Sequence, residues 1–186
     1  KETATLAKKH GLTLEEMFAD LDEIRHNSWM MIKIFIDSSV LIAGLISDEG
    51  ASSKILSFCE SKIVEWWISS QVIKEVEENI KRKIPQILNG FQKLKLSSNL
   101  KILKIPNPSI LEKARKWIKD KNDAPILAAA KQLDIDVLLT LDLRHFIKDT
   151  NVSKKSELQI MTPGEFLKWF IKFCWNHYDF FNAGWP

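Results

Sequence analysis

Four acidic residues stand against apolar runs: Asp37 in "FIDSSVLIAG", Glu75 in "SSQVIKEVEENI", Asp123 in "KNDAPILAAA" and Asp142 in "LLTLDLRHF". A carboxylate beside a core is costly unless something cationic meets it. Carboxylates that converge repel one another and stay ionised together only if a cation neutralises them. The histidines His10, His26, His145 and His177 have no His or Cys partner at ligand spacing, and read as surface or internally satisfied residues. A site of oxygen ligands alone selects Mg2+ or Mn2+ over zinc. Such an ion can activate a water and steady a phosphoryl transition state. Arg144 and Lys121 lie close in sequence to the last and third acids and are candidate contacts for a substrate phosphate. Each acid also has an ordinary use. Asp37 and Asp123 suit helix N-caps, Asp142 suits a cap for a short helix through His145, and Glu75 suits a solvated helix face on which Glu77 and Glu78 are equally eligible.

The elements that must position these acids alternate between strand and helix. Strand patterns begin at Ile32, Ile63, Leu100, Ile135 and Leu158. Helical patterns cover 38–47 and 52–60, then run from a Ser70 cap through Glu75 to about Lys83, where Pro85 closes the pattern. A weaker helix around Gly90 follows, and the pair Pro106 and Pro108 stops the third strand. Further helices cover 111–119, the segment "DAPILAAAKQL" with Pro125 in its first turn, and "PGEFLKWFIKF". This order predicts a three-layer α/β/α fold around a mostly parallel five-stranded sheet. In such a sheet, sites form at the carboxyl ends of strands near the topological switch point. Asp37 and Asp142 follow strands one and four, and Glu75 and Asp123 belong to helices that return to that edge.

The totals fit one compact domain with additions at its ends: 186 residues, 45% of them hydrophobic. No apolar run is long enough to span a bilayer and no signal-peptide pattern opens the sequence, so a cytoplasmic protein without membrane partners is expected. Cys59 and Cys174 have neither metal-ligand nor disulfide-scaffold spacing and read as buried or semi-buried thiols of a reducing compartment. Net charge is only +3, yet from Lys81 to Lys121 twelve Lys or Arg face only Glu112 and Asp120. This basic belt would attract a polyanion, or would simply be solvated helix faces. Residues 1–29 carry a capping box, Thr13 and Glu16, and an apolar stripe of Leu14, Met17, Phe18, Leu21 and Ile24, which predicts one amphipathic helix. Residues 30–170 form the predicted domain. Residues 171–186 form an aromatic tail, and Trp169 just before it together with Phe173, Trp175, Tyr178, Phe180, Phe181 and Trp185 predict an association surface, with folding back onto the domain as the alternative. Of Trp66 and Trp67, one is expected in the core and the other under a helix or partner.

The stretches "FIDSSVLIAG", "SSQVIKEVEENI", "DAPILAAAKQLDIDVLLTLDLRHF" and "IMTPGEFL", spanning about three quarters of the chain, resemble the PIN domain family of ribonucleases, and most of all its VapC-like toxins. The resemblance implies a metal-dependent endoribonuclease with Asp37, Glu75, Asp123 and Asp142 as catalytic metal ligands for Mg2+ or Mn2+. It also implies that Thr140, Ser38 and Ser39 support the site, that RNA is the substrate, and that a homodimer or larger assembly forms. A cognate antitoxin is the implied partner; "GLTLEEMFADLD" resembles the C-terminal part of MazE-like antitoxins, so the chain's own leading helix could serve instead and damp activity, with a helix that only covers hydrophobic surface as the equal alternative. Asp37→Asn is then expected to abolish cleavage and to leave the metal-free fold as stable or more so. The alternatives are a PIN-like module that binds RNA or protein without cutting, and a haloacid-dehalogenase-type phosphotransferase. The latter usually needs a second acid where Ser39 stands.

Overall fold

The computed structural model describes residues 31–96, 99–147 and 150–182. The leading helix and the last residues of the aromatic tail lie outside them. Ile34, Phe35 and Ile36 have no exposed surface, as expected of a central strand covered on both faces. They belong to β1 (Lys33–Ile36), which is flanked by β2 (Glu65–Ser69) and β4 (Val137–Leu139). The edges are β3 (Leu100–Leu103) and β5 (Gln159–Met161), and the five strands run parallel in the order β3-β2-β1-β4-β5.

Each connection contains helix. Helices α1 (Ser38–Ile46) and α2 (Ala51–Glu60) join β1 to β2, and α3 (Ser70–Lys83) and α4 (Leu88–Lys95) join β2 to β3. Helices α5 (Pro108–Trp117) and α6 (Ala124–Gln132) join β3 to β4, α7 (Thr150–Ser156) precedes β5, and α8 (Pro163–Asn182) closes the order. Right-handed crossovers put α1 to α4 on one face of the sheet and α5 to α7 on the other. In agreement, α1 packs on α2 and α3, while α5 packs on α6 and α7. Helix α8 returns to the first face, where Phe170 meets Phe58 of α2 with ring centroids 5.6 Å apart. Gly44 permits the close approach of α1 to α2, because a Cβ there would lie 2.7 Å from Leu56 Cδ1 and 3.0 Å from the Ser52 carbonyl oxygen.

Several boundaries differ from the sequence reading. Lys62 (φ 59°) and Asp134 (φ 51°) adopt left-handed conformations that close α2 and α6. The Ile63 N–H then returns to the Phe58 carbonyl and the Ile135 N–H to that of Ala130. Those residues finish helices, so β2 and β4 start two residues later than their apolar runs. The cap of α3 is Ser69, whose Oγ accepts from the Val72 N–H, and Ser70 is already helical. Helix α5 begins at Pro108, behind an Asn107 cap, so the second proline of the pair starts a helix as well as ending a strand.

Helix α8 runs unbroken across residue 171. Trp169 and Phe173 pack against the domain's own core and Cys174 is buried. Both cysteines are buried free thiols; burial raises Cys59 well above its ordinary value and pushes Cys174 up to about 12. Trp66 is a core residue, whereas Trp67 is half-buried, with its indole N–H donating to Glu65 and Lys101 over its ring. Among the described residues no helix is long and apolar enough to cross a membrane.

Candidate active site

β1 and β4 end side by side at the switch point, where the chain leaves one strand for each side of the sheet. Asp37 follows β1, is 5% exposed, and caps α1 through the Ser38 N–H at 2.7 Å from its Oδ1. Its Oδ2 accepts from Ser39 Oγ at 2.7 Å and from Thr140 Oγ1 at 2.8 Å. Those hydroxyls are themselves oriented, since Ser39 Oγ accepts from the Leu141 N–H and Thr140 Oγ1 from the Asp142 N–H, each at 3.0 Å. Two hydroxyls thus relay between the Asp37 carboxylate and the backbone that carries Asp142. Ser38, Ser39 and Thr140 all lie against the Asp37 carboxylate. These donors meet the Asp37 carboxylate, so its burial does not by itself require a cation.

Glu75 lies half-buried on α3, with Gln71 Nε2 donating to its Oε1 at 2.9 Å. Burial raises its pKa and the nearby charge of Asp37 adds to that, against hydrogen bonds from Gln71 and Ser38. Its helical neighbours face elsewhere: Glu77 pairs with Lys95 at 2.7 Å and Glu78 lies 3.9 Å from Lys74. Glu75 is therefore the acid of α3 that belongs to the cluster.

Asp123 starts α6 but makes no side-chain cap bond, and its Oδ2 is buried without a hydrogen-bond partner. Burial first, then the charges of Asp120, Asp37 and Asp142, push its carboxyl up to about 7, partly offset by His145. Asp142 Oδ1 accepts from the backbone N–H groups of Arg144 and His145, both at 2.9 Å, so it also caps the turn that follows. That turn, Leu143–Ile147, is π-helical, a rare geometry frequent at functional sites. It brings His145 Nδ1 to 2.9 Å from Asp142 Oδ2 and 3.5 Å from Asp123 Oδ2.

The sequence reading missed His145 and Asp120. Asp120, Asp123 and His145 can each offer a ligand atom, all within 4.8 Å of one another. The signals were a histidine three residues after Asp142 and an aspartate three residues before Asp123. Arg144 is exposed next to the cluster. Lys121 has another use: its Nζ donates to the carbonyls of Ile118, at 3.0 Å, and Arg115, capping the end of α5 and fastening the loop that carries Asp120 and Asp123. The basic belt is also partly committed, with Lys95 on Glu77, Lys101 on Glu65 and Arg115 on Glu112. Lys81, Arg82, Lys83, Lys93, Lys104, Lys113 and Lys116 are exposed.

A divalent ion fits these residues. The donors are hard carboxylate oxygens with one imidazole, and the buried Asp123 oxygen lacks the partner that burial demands.

The fold is similar to that of VapBC2 from Rickettsia felis, solved bound to a DNA fragment from its promoter (TM-score 0.53, 15% identity, covering 70% of this chain and 98% of that one). It is also similar to DNA-bound VapBC from Salmonella typhimurium (0.52, 15%, 72% and 99%) and to VapBC-1 from nontypeable Haemophilus influenzae (0.51, 16%, 72% and 99%). No curated protein sequence matches the chain. Residues 33–144, from β1 through the last acid of the cluster, match the PIN domain, and the chain belongs to the PIN domain family.

Proposed function

We propose that this chain is a metal-dependent endoribonuclease, a VapC-like toxin of a toxin–antitoxin pair. The observation that carries the reading is the convergence of Asp37, Glu75, Asp123 and Asp142 at one sheet edge, with a buried Asp123 oxygen left without a hydrogen-bond donor. These acids would hold Mg2+ or Mn2+, which when bound supplies charge neutralisation at the phosphate and a water acidic enough to attack it. Thr140 and Ser39 keep Asp37 in one orientation, so its geometry is set before substrate arrives. Gln71 and Ser38 do the same for Glu75. Arg144, exposed two residues after Asp142, would pair with a phosphate of bound RNA, and the exposed lysines between Lys81 and Lys116 would draw in the backbone in a salt-dependent way.

The test is incubation of the purified protein with RNA in Mn2+, in Mg2+ and in EDTA, beside Asp37→Asn. Cleavage that needs the ion and vanishes in the variant is expected; equal cleavage by both proteins would place the activity elsewhere. RNA retained but uncut under every condition would favour the second reading, a PIN-like binding module.

The similarity to VapBC complexes supports a cognate antitoxin as partner; the alternative is that residues 1–29 serve in its place. Deleting residues 1–29 should then raise the cleavage rate. The remaining division is a domain over 30–170 and an association segment over 171–186. Because Phe173 and Cys174 serve the domain's own core, the segment is best tested by truncation after Cys174. Loss of a homodimer or larger oligomer supports it, and an unchanged mass removes it.

A further inference from the structure

We propose that His145 is a nitrogen ligand of the divalent-ion site, through Nδ1 beside Asp142 and Asp123, and that it makes the site prefer Mn2+ to Mg2+; this rests on the metal-dependent reading above. The acids alone would not discriminate strongly between the two ions. An imidazole does, because Mg2+ takes oxygen ligands and sheds water reluctantly, whereas a first-row transition ion accepts nitrogen readily.

His145, Asp123 and Asp120 can each turn a ligand atom to one point, all within 4.8 Å of one another. Octahedral ligands at about 2.1 Å from an ion stand about 3 Å from one another. His145 Nδ1 is 2.9 Å from Asp142 Oδ2 and 3.5 Å from Asp123 Oδ2. The atoms are also free for that role. Asp142 commits Oδ1 to the backbone N–H groups of Arg144 and His145, which leaves Oδ2 to face the imidazole. A proton on Nδ1 can serve the Asp142 oxygen but leaves the buried Asp123 Oδ2 without a donor. A cation held by His145, Asp123 and Asp120, whose ligand atoms lie within 4.8 Å of one another, would give that oxygen its partner. The π-helical turn of Leu143–Ile147 is what aims the ring. It folds His145 back over Asp142, and the bond from the Phe146 N–H to the Asp142 carbonyl, at 3.3 Å, holds the turn.

The decisive readout is pulsed electron paramagnetic resonance of the full chain saturated with Mn2+, without an affinity tag. Directly bound imidazole nitrogen modulates the Mn2+ echo. The modulation should appear in the wild type, change when histidine is labelled with 15N, and vanish in His145→Gln, which leaves His10, His26 and His177 in place. By calorimetry, His145→Gln should weaken Mn2+ binding by about tenfold or more and Mg2+ binding by less than about threefold. Bound Mn2+ with no nitrogen modulation in the wild type overturns the inference and leaves the metal-dependent nuclease standing. So does modulation that persists in the variant. The labelled wild type gives the answer even if the variant folds poorly. Failure of Mn2+ to bind at all overturns the inference together with the reading it rests on.

Discussion

Asp37 and Asp123 hold matching places in the fold, each at the start of a helix that leads away from the shared edge of the sheet. Their surroundings differ. Asp37 accepts from the Ser38 N–H and from the hydroxyls of Ser39 and Thr140. Asp123 has a buried oxygen with no donor and a carboxyl pushed up to about 7. One side of the site is finished by the chain itself, and the other is complete only when a cation or a proton arrives. A site of this kind keeps its geometry without metal and still gains stability from binding it, because binding relieves a cost stored at a single carboxylate.

The largest effect is expected for Thr140→Val. The substitution preserves volume but removes the donor to Asp37 and orphans the Asp142 N–H, so chemical denaturation should show a loss of about 2–4 kcal/mol and cleavage should disappear. A loss under half a unit would mean that the hydroxyl relay is decorative. The next test reverses sign between the two acids. Asp37→Asn sets amide hydrogens against hydroxyl donors and should destabilise the metal-free protein by about 1–3 kcal/mol. Asp123→Asn removes an uncompensated charge and should stabilise it by about 1–2 kcal/mol at pH 8. Charge repulsion alone would predict a gain for Asp37→Asn as well; the hydrogen bonds that Asp37 accepts reverse the expected sign.

The pH dependence follows from Asp123. Its folded pKa, about 7, lies above the ordinary carboxyl value of 3.8, so between those values the folded state binds more protons than the unfolded one. Metal-free stability from this group is full below pH 4 and is lost as pH rises to 7 and beyond. Thermal melts from pH 5 to pH 8 should show that decline in the wild type and a flatter profile in Asp123→Asn. The smallest effect is expected at Glu78, which is exposed and only loosely paired with Lys74. Glu78→Gln should shift stability by less than about 0.5 kcal/mol and leave cleavage intact, whereas Glu75→Gln should abolish cleavage.

The finished side was the more legible from sequence. Asp37 interrupts an apolar run, and Thr140 stands between two leucines before the last acid, so their contexts are local. The other side depends on geometry that spacing does not reveal. His145 reaches Asp142 and Asp123 only through a π-helical turn, and Lys121 turns back onto the end of α5 instead of outward. Strand starts were misplaced for a related reason: the left-handed positions that end α2 and α6 are filled by Lys62 and Asp134, where glycine would have marked the stop. The belt of Lys81 to Lys121 looked unopposed in sequence because two of the acids that answer it, Glu65 and Glu77, lie on earlier elements.

The most direct test of the contrast is a Mn2+ titration of the melting temperature at pH 8, wild type beside Asp123→Asn. Wild type should start lower and rise by about 5–10 °C at a hundredfold excess over the dissociation constant. The variant should start higher and respond little. A wild type indifferent to Mn2+, or a variant that rises as far, would contradict the claim that Asp123 is the carboxylate waiting for a cation.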